Sequence, residues 1–113
     1  VMISSVLGKV GVSNATAFCA AQGGIRLLAK AGACELGPEK IRVNSIHPGL
    51  TDIDISKTFS GDVDEDQYIK SNIPLNRKAT SEEIAKTILF LVSESSFFIT
   101  GAELTIDGGM SAR

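Results

Sequence analysis

The chain has 113 residues, of which 43% are hydrophobic and 21% are charged, and its formal net charge is -2. Its length predicts one small domain rather than two. The near-neutral charge and the lack of a basic block disfavour nucleic-acid binding and attraction to anionic membranes. No apolar run reaches the roughly 18 residues of a membrane-spanning helix.

The first half of the chain predicts the end of a strand followed by one long helix. The apolar run "VMISS" at residues 1–5 has no basic region before it, so it is not typical of a signal peptide, and we expect the recorded chain to begin inside a larger fold. The helix is rich in alanine and glycine, runs to about Leu36 and stops at Gly37-Pro38. Three residues near its start offer N-cap oxygens: Ser13, Asn14 and Thr16.

Both cysteines, Cys19 and Cys34, fall inside this predicted helix. Their separation along a helix is roughly 22 Å, whereas a disulfide needs Cα atoms within about 7 Å. They therefore cannot pair within the helix. We expect two buried structural thiols, and a reducing, cytoplasmic location.

A polar segment follows the second predicted strand. The strand, "KIRVNSIHPG" at residues 40–49, ends at Pro48-Gly49. Residues 50–66 are acidic and rich in serine, aspartate and threonine, which predicts a long loop, with a short helix around Glu65 to Lys70. Loops of this length are often lids or binding loops, and we assign this one to about residues 50–78.

A capping box predicts the second long helix. In "TSEE", Thr80 takes the N-cap position and Glu83 the N3 position. Apolar residues then recur at helical spacing: Ile84, Ile88 and Leu91. The segment "AELTIDGG" predicts a last strand, with a structural turn at Asp107-Gly108-Gly109.

The order of these elements is strand, helix, strand, lid, helix, strand, which predicts an α/β fold with a parallel sheet. Parallel sheets are covered on both faces. About three strands with two long helices are too few to achieve this. A partner or a missing half of the fold is therefore expected.

Several motifs occur together in a specific order. They are "ISS", then Phe18 and Gln22 within "AFCAAQGG", then "IRVNSIHPG", then the segment "PLNRKATSEEIAKTILFLVSESSFFITGAELTIDGG". Across the whole chain they resemble the C-terminal half of a classical short-chain dehydrogenase/reductase. The resemblance implies half of a single Rossmann-type, doubly wound parallel sheet, spanning residues 1–113. The sequence contains no glycine-rich phosphate loop, so the N-terminal cofactor-binding half is expected to be absent.

The resemblance also implies hydride transfer between a nicotinamide and an alcohol or carbonyl. A family serine orients the substrate oxygen, a tyrosine transfers the proton, and a lysine one helical turn later lowers the tyrosine pKa and holds the ribose. The matching positions are Ser5, Phe18 and Gln22. Because neither Phe18 nor Gln22 can transfer a proton near neutral pH, we expect an inactive site.

Cofactor contacts are implied on the segment after the second strand. In the family, main-chain groups of the turn matching Pro48-Gly49 meet the nicotinamide carboxamide, and Thr51 can retain this contact through its N–H. A family threonine four residues after the glycine is replaced by Ile53, so its hydroxyl contact is lost. No metal ligand is predicted.

Other residues have two interpretations. Tyr68, the single tyrosine, and His47 are alternative proton carriers, although packing and structural roles are commoner for such residues. Ser5 orients substrate or bonds its own loop. The small residues of the first helix indicate close packing, which in the family includes a subunit interface: Cys19, Ala20, Ala21, Gly23 and Gly24.

Three functions are compatible with these features. The first is a fragment of an NAD- or NADP-dependent oxidoreductase acting on a small alcohol or ketone, which as an isolated chain would not bind the cofactor tightly. The second is a non-catalytic module for ligand binding or oligomerisation. The third is a decayed gene product. The expected partners are a second copy of the chain or the missing N-terminal half.

Overall fold

The structure is a computed structural model that describes residues 1–53 and 64–112. Six helices and strands organise this part of the chain in the predicted order. They are β1 (Met2–Ile3), α1 (Thr16–Leu36), β2 (Ser45–Pro48), α2 (Glu65–Asn72), α3 (Ser81–Val92) and β3 (Glu103–Ile106). Single 3-10 turns lie at Val6–Gly8, Gly37–Glu39 and Glu94–Ser96.

The strands form a three-stranded sheet in the order β1-β2-β3, and both pairings are parallel. This confirms the predicted α/β fold with a parallel sheet. In β2 and β3, Ser45 is level with Glu103 and His47 is level with Thr105. Since side chains alternate along a strand, these residues share one face of the sheet.

Helix α1 lies on that polar face and is held there by ion pairs. Arg26 Nε lies 2.9 Å from Glu103 Oε2, and Lys30 Nζ lies 2.7 Å from Glu103 Oε1. Lys9, in the loop before α1, donates from its Nζ to Thr105 Oγ1 at 3.0 Å. Hydrogen bonding to Lys30 and Arg26 lowers the pKa of Glu103 to about 2. Helix α1 is therefore fixed to the edge strand by charge as well as by packing.

Apolar burial is small in the described residues. Ile46 of β2, Leu91 of α3 and Ala29 of α1 are almost completely buried. Many large apolar side chains are exposed instead, on α1 and around α3: Leu27, Leu28, Leu89, Val92, Phe97 and Phe98. This exposure agrees with the expectation that two long helices do not cover the sheet.

The predicted N-cap residues of α1 are wrong. The N-cap is Ala15, and no side chain caps the helix. Asn14 adopts a left-handed conformation with φ 63, and Ala15 is 4% exposed. The chain turns at Asn14 and buries Ala15, which places Ser13 too far back and Thr16 already inside the helix.

The end of α1 agrees with the prediction, but the burial of its thiols does not. The helix ends at Leu36, followed by Gly37 as the C-cap. Both cysteines are free; Cys19 is half-buried and Cys34 is exposed. The expected burial of both thiols is therefore wrong, because Cys34 lies on a face of α1 that no described residue covers.

The second strand is shorter than predicted because the Asn44 side chain, rather than its backbone, forms the hydrogen bonds to the segment that leads into β3. Asn44 Nδ2 donates to the Ile99 carbonyl, and Asn44 Oδ1 accepts from the Ala102 N–H, both at 2.9 Å. The strand begins only at Ser45. Asn44 is buried, so these bonds fix β2 beside the segment that leads into β3.

Two local predictions in the second half are confirmed. The short helix of the predicted lid is α2, and the capping box of Thr80 and Glu83 has both of its reciprocal hydrogen bonds. Of the predicted lid at residues 50–78, positions 54–63 lie outside the described residues. Within the described part, no helix is long and apolar enough to cross a membrane.

Candidate functional site

An open cavity of about 1140 Å³ lies at the carboxyl ends of β1 and β2. In open parallel sheets this edge is where ligands bind. The sequence predicts seven site residues, and all of them line this cavity: Ser5, Phe18, Gln22, Pro48, Gly49, Thr51 and Ile53. Segments far apart in sequence therefore converge on one space.

Ser5 follows β1 and caps the 3-10 turn. Its Oγ accepts the Leu7 N–H at 3.2 Å, and its carbonyl accepts the Gly8 N–H at 2.9 Å. Ser5 therefore does bond its own loop, which is one of its two interpretations. A hydroxyl that accepts a hydrogen bond still has its own proton to donate, so the same side chain can also orient a ligand oxygen.

Ser4 and Gly8 hold the loop against α1 at Gln22. The buried Ser4 donates through Oγ to the Gln22 carbonyl at 2.9 Å. A Cβ on Gly8 would lie 2.8 Å from the Gln22 carbonyl carbon and oxygen. Glycine is therefore required at this close approach, and the Ser4 side chain bonds the backbone of α1.

Phe18 and Gln22 lie one turn apart on the face of α1 that meets the cavity. The Gln22 Oε1 atom is buried, and within residues 1–53 and 64–112 it has no hydrogen-bond partner. An unsatisfied buried acceptor costs about 1–3 kcal/mol. A donor from outside the described residues would remove this cost.

His47 is completely buried beneath the site and does not line it. Its Nε2 lies 3.0 Å from Ser45 Oγ, and its Nδ1 lies 3.2 Å from the Ser5 carbonyl oxygen. Burial lowers the pKa of His47 below its ordinary value. A neutral ring with the proton on Nδ1 satisfies both contacts, which supports a structural role under Ser5.

The segment after β2 is fixed from both sides. The Gly49 N–H donates to the Ile106 carbonyl at 3.0 Å, and a Cβ on Gly49 would lie 2.8 Å from Asp107 Cα. Thr51 forms a bridge with Ala79. The Thr51 N–H has no hydrogen-bond partner among the residues that the structure describes.

Asp52 is a site-supporting residue that the sequence does not reveal. Its Oδ1 accepts both the N–H and the hydroxyl of Ser81 at the start of α3. The Ser81 hydroxyl bond lowers the pKa of Asp52. Because the two residues are 29 positions apart, no local pattern could have predicted this contact.

The turn at Asp107-Gly108-Gly109 packs against the segment that follows α2. Asp107 accepts the N–H groups of Gly109 and Ser111 at 2.9 and 2.8 Å, and the Leu75 N–H donates to Gly108. The turn predicted at these residues is therefore present.

Tyr68 on α2 and Met110 after this turn both line the cavity. In the described part of the chain, no group of histidine, cysteine, aspartate and glutamate could hold a metal ion.

Comparison with known proteins agrees with this geometry. A family model described as enoyl-(acyl carrier protein) reductase matches residues 1–111. The chain is 44% identical over 110 residues to trans-4-hydroxycyclohexanecarboxylate dehydrogenase of Sinomonas cyclohexanicum, covering 97% of this chain and 40% of that protein. It is 42% identical over 109 residues to a 3-oxoacyl-[acyl-carrier-protein] reductase of Chlamydia trachomatis, covering 96% and 43%.

A solved structure of 4-hydroxyisoleucine dehydrogenase complexed with NADH has a TM-score of 0.90 and 33% identity, covering 98% of this chain and 46% of that one. The chain belongs to the short-chain dehydrogenase/reductase family. It spans less than half the length of these relatives.

Proposed function

We propose that this chain forms the substrate-side half of a nicotinamide-dependent oxidoreductase site whose proton-transfer groups are missing. One observation carries the proposal: Phe18 and Gln22, which the resemblance matches to the family's tyrosine and lysine, line the same cavity as Ser5. The site keeps its shape and its substrate-orienting hydroxyl. The site lacks a group that can transfer the proton to or from the alcohol or carbonyl oxygen.

The residues present suit the nicotinamide end of a dinucleotide. The buried Gln22 Oε1 needs a donor, and a ribose hydroxyl supplies one. The Thr51 N–H offers a donor to an amide oxygen. A bound nicotinamide would supply or accept the hydride. The choice between NAD and NADP depends on contacts to the adenosine ribose, which none of these residues makes.

The proton step fails for a physical reason at each position. Phe18 keeps the ring of a tyrosine but has no oxygen to carry a proton. Gln22 is uncharged, so it cannot lower the pKa of a neighbouring phenol as a lysine does. A positioned acid or base typically contributes about 10²–10⁴-fold to the rate, and we expect this site to lack that factor.

The first prediction is that two substitutions restore turnover. The chain is fused to the N-terminal half of an active relative, and Phe18→Tyr and Gln22→Lys are made together. The unmodified fusion should bind NADH and turn over alcohols poorly. The double variant should react at least about 10²-fold faster, and each single variant should gain much less because such groups act as a unit. Rates are followed by NADH absorbance.

The control for this experiment is Phe97→Tyr with Gln67→Lys, which makes the same chemical changes at exposed positions outside the cavity. It should leave the rate unchanged. A normal rate in the unmodified fusion would show that another residue carries the proton, and the proposal would then be wrong.

A second candidate function is a non-catalytic, cytoplasmic module that pairs with a second copy of the chain. It is favoured by the exposed face of α1, where small residues adjoin Leu27 and Leu28, which are 64% and 58% exposed. Sedimentation of the chain with Leu27→Lys and Leu28→Lys tests it. Self-association that survives both substitutions would count against this face.

A further inference from the structure

Three cationic side chains converge on one carboxylate where α1 packs against β3. Lys9 Nζ lies 3.7 Å from Glu103 Oε2, and Arg26 Nε lies 2.9 Å from the same oxygen. Lys30 Nζ lies 2.7 Å from Glu103 Oε1. We call these four residues the Glu103 cluster. They lie outside the described lining of the cavity around Ser5, so the proposed function does not use them.

The Glu103 cluster carries more positive charge than its carboxylate neutralises. Three cations face one anion, which leaves a surplus of two positive charges. Lys9 and Arg26 even share one carboxylate oxygen. Like charges at such short separations repel one another. A further anion bound beside these side chains would therefore stabilise the arrangement.

The pKa of the buried His47 supports this surplus. His47 is level with Thr105 and shares the face of the sheet that carries Glu103. Burial is the main reason that the pKa of His47 is lowered, and the charges of Lys9 and Arg26 lower it further. Glu103 raises this pKa, but by less than Lys9 lowers it. The positive charge near His47 therefore exceeds the negative charge that Glu103 supplies.

The cations keep hydrogen-bond donors that Glu103 does not use. Arg26 donates to Glu103 through Nε, and its two Nη groups donate to no residue in the described part of the chain. A lysine ammonium has three donors, of which Lys9 gives one to Thr105 Oγ1. The side chains of Lys9, Arg26 and Lys30 are 28%, 36% and 48% exposed. A small anion can therefore reach these donors from solvent.

The fold holds the three cations close together. Arg26 and Lys30 are four residues apart on α1 and so lie on one face of the helix. Lys9 is held beside them by Thr105, and all three contact Glu103, whose side chain is 12% exposed. Donors that are already fixed lose less conformational freedom when they bind a ligand. Arginine binds two oxygens of a phosphate through its planar fork, and lysine adds a compact charge.

We propose that the Glu103 cluster binds a phosphate dianion, either free phosphate or the phosphate group of a small monoester. The Arg26 Nη groups donate to its oxygens, and the ammonium groups of Lys9 and Lys30 neutralise its charge. Glu103 remains ionised and keeps the three cations in place. A dianion matches the surplus of two positive charges, whereas a monocarboxylate leaves one of them uncompensated.

The test measures binding of inorganic phosphate to the chain at pH 7.5 by equilibrium dialysis. Sodium chloride holds the ionic strength at about 0.15 M, so that general screening is constant. The dissociation constant should be below about 1 mM, and acetate should bind at least about 10-fold more weakly. Phosphate should also shift the Nε–H resonance of Arg26 in NMR spectra, but not that of Arg77, which is paired with Glu83.

Two results of this test would overturn the proposal. One is the absence of saturable phosphate binding, which would also follow if an acidic side chain already fills the site. The other is equal affinity for acetate, which would show that the site does not require a dianion.

Variants locate the binding in the Glu103 cluster. Arg26→Gln should weaken phosphate binding at least about 10-fold, and Lys30→Gln is a second variant in case the first does not fold. Lys86→Gln is the matched control, because it removes one positive charge from an exposed ion pair with Glu82. It should leave the affinity unchanged. Equal weakening in the control would show that net charge rather than the cluster binds phosphate, and the proposal would be wrong.

Phenyl phosphate in the same dialysis distinguishes the two sources of the ligand. Tighter binding of phenyl phosphate than of inorganic phosphate assigns the site to a monoester, and the reverse order assigns it to the free ion. Failure of both ligands to bind overturns the proposal and leaves the proposed function intact, because the two use different residues.

Discussion

At the scale of single residues, the resemblance to the family predicts one shared site, and the structure adds the contacts that hold its residues. Ser5, Phe18 and Gln22, the positions that the resemblance matches to the family's serine, tyrosine and lysine, all line one cavity. The supporting contacts were not predictable, because they join distant positions. Ser81 binds Asp52 from 29 residues away, and Arg26 binds Glu103 from 77 residues away. Nothing local in the sequence marks either pair.

The second prediction concerns His47, the single histidine. Burial lowers its pKa in the folded state, so the unfolded chain takes up a proton first as the pH falls. The stability due to the neutral ring is therefore fully present above the unfolded pKa of about 6.5 and is lost as the pH falls below it. Denaturant unfolding between pH 7.5 and pH 5 should show this loss.

The His47→Gln variant is the control for this prediction. It should be less stable at pH 7.5, because the bond to the Ser5 carbonyl is changed, and its stability should vary less across the same pH range. The imidazole C2 proton reports the titration directly by NMR. A midpoint at or above pH 6.5 in the folded protein would contradict the prediction.

At the scale of helices and strands, the boundaries marked by nearby residues were predicted correctly. The boundaries that depend on long-range contacts were not. Helix α3 begins where Thr80 and Glu83 form their capping box, and α1 ends at Leu36. Both signals lie within a few residues of the boundary they mark. The starts of α1 and β2 depend instead on the burial of Ala15 and on the long-range bonds of Asn44, so the sequence placed them wrongly.

The third prediction tests the ion pairs that fix α1 to β3. Glu103→Gln leaves Arg26 and Lys30 without their anion, in a site where the carboxylate is 12% exposed. Losing charge-assisted bonds of this kind should lower the free energy of unfolding by roughly 1.5–3 kcal/mol. The matched change Glu82→Gln removes an exposed pair with Lys86 and should cost much less. Equal losses in urea unfolding would show that Glu103 has no special role.

At the scale of the whole molecule, the chain spans less than half the length of its relatives. Its sheet has three strands, and the outer edge of β1 has no partner strand among the described residues. The phosphate-binding loop of the family is missing from the sequence, and it is this loop that presents backbone N–H groups to the pyrophosphate at a helix N-terminus. The predicted class of fold was correct because strands and helices alternate along this chain as they do in α/β folds.

The fourth prediction follows from that missing loop. The isolated chain should not bind NADH or NADPH with a dissociation constant below about 10 μM, close to -7 kcal/mol. Isothermal calorimetry on the purified chain measures this, with an active full-length relative as the positive control. Tighter binding would show that the residues around Gln22 and Thr51 hold the dinucleotide without its usual phosphate site.

The last prediction is that the isolated chain associates or is marginally stable. Exposed apolar patches and unpaired strand edges favour association. Residues 1–53 and 64–112 show both, with Phe97 and Phe98 78% and 100% exposed. Sedimentation should show species larger than a monomer at micromolar concentration. Phe97→Lys with Phe98→Lys, compared with Leu27→Lys and Leu28→Lys on α1, should identify the surface responsible. A sharp monomer with a cooperative transition above about 65 °C, the top of the usual mesophilic range, would contradict it, because a half-covered sheet should not reach that stability alone.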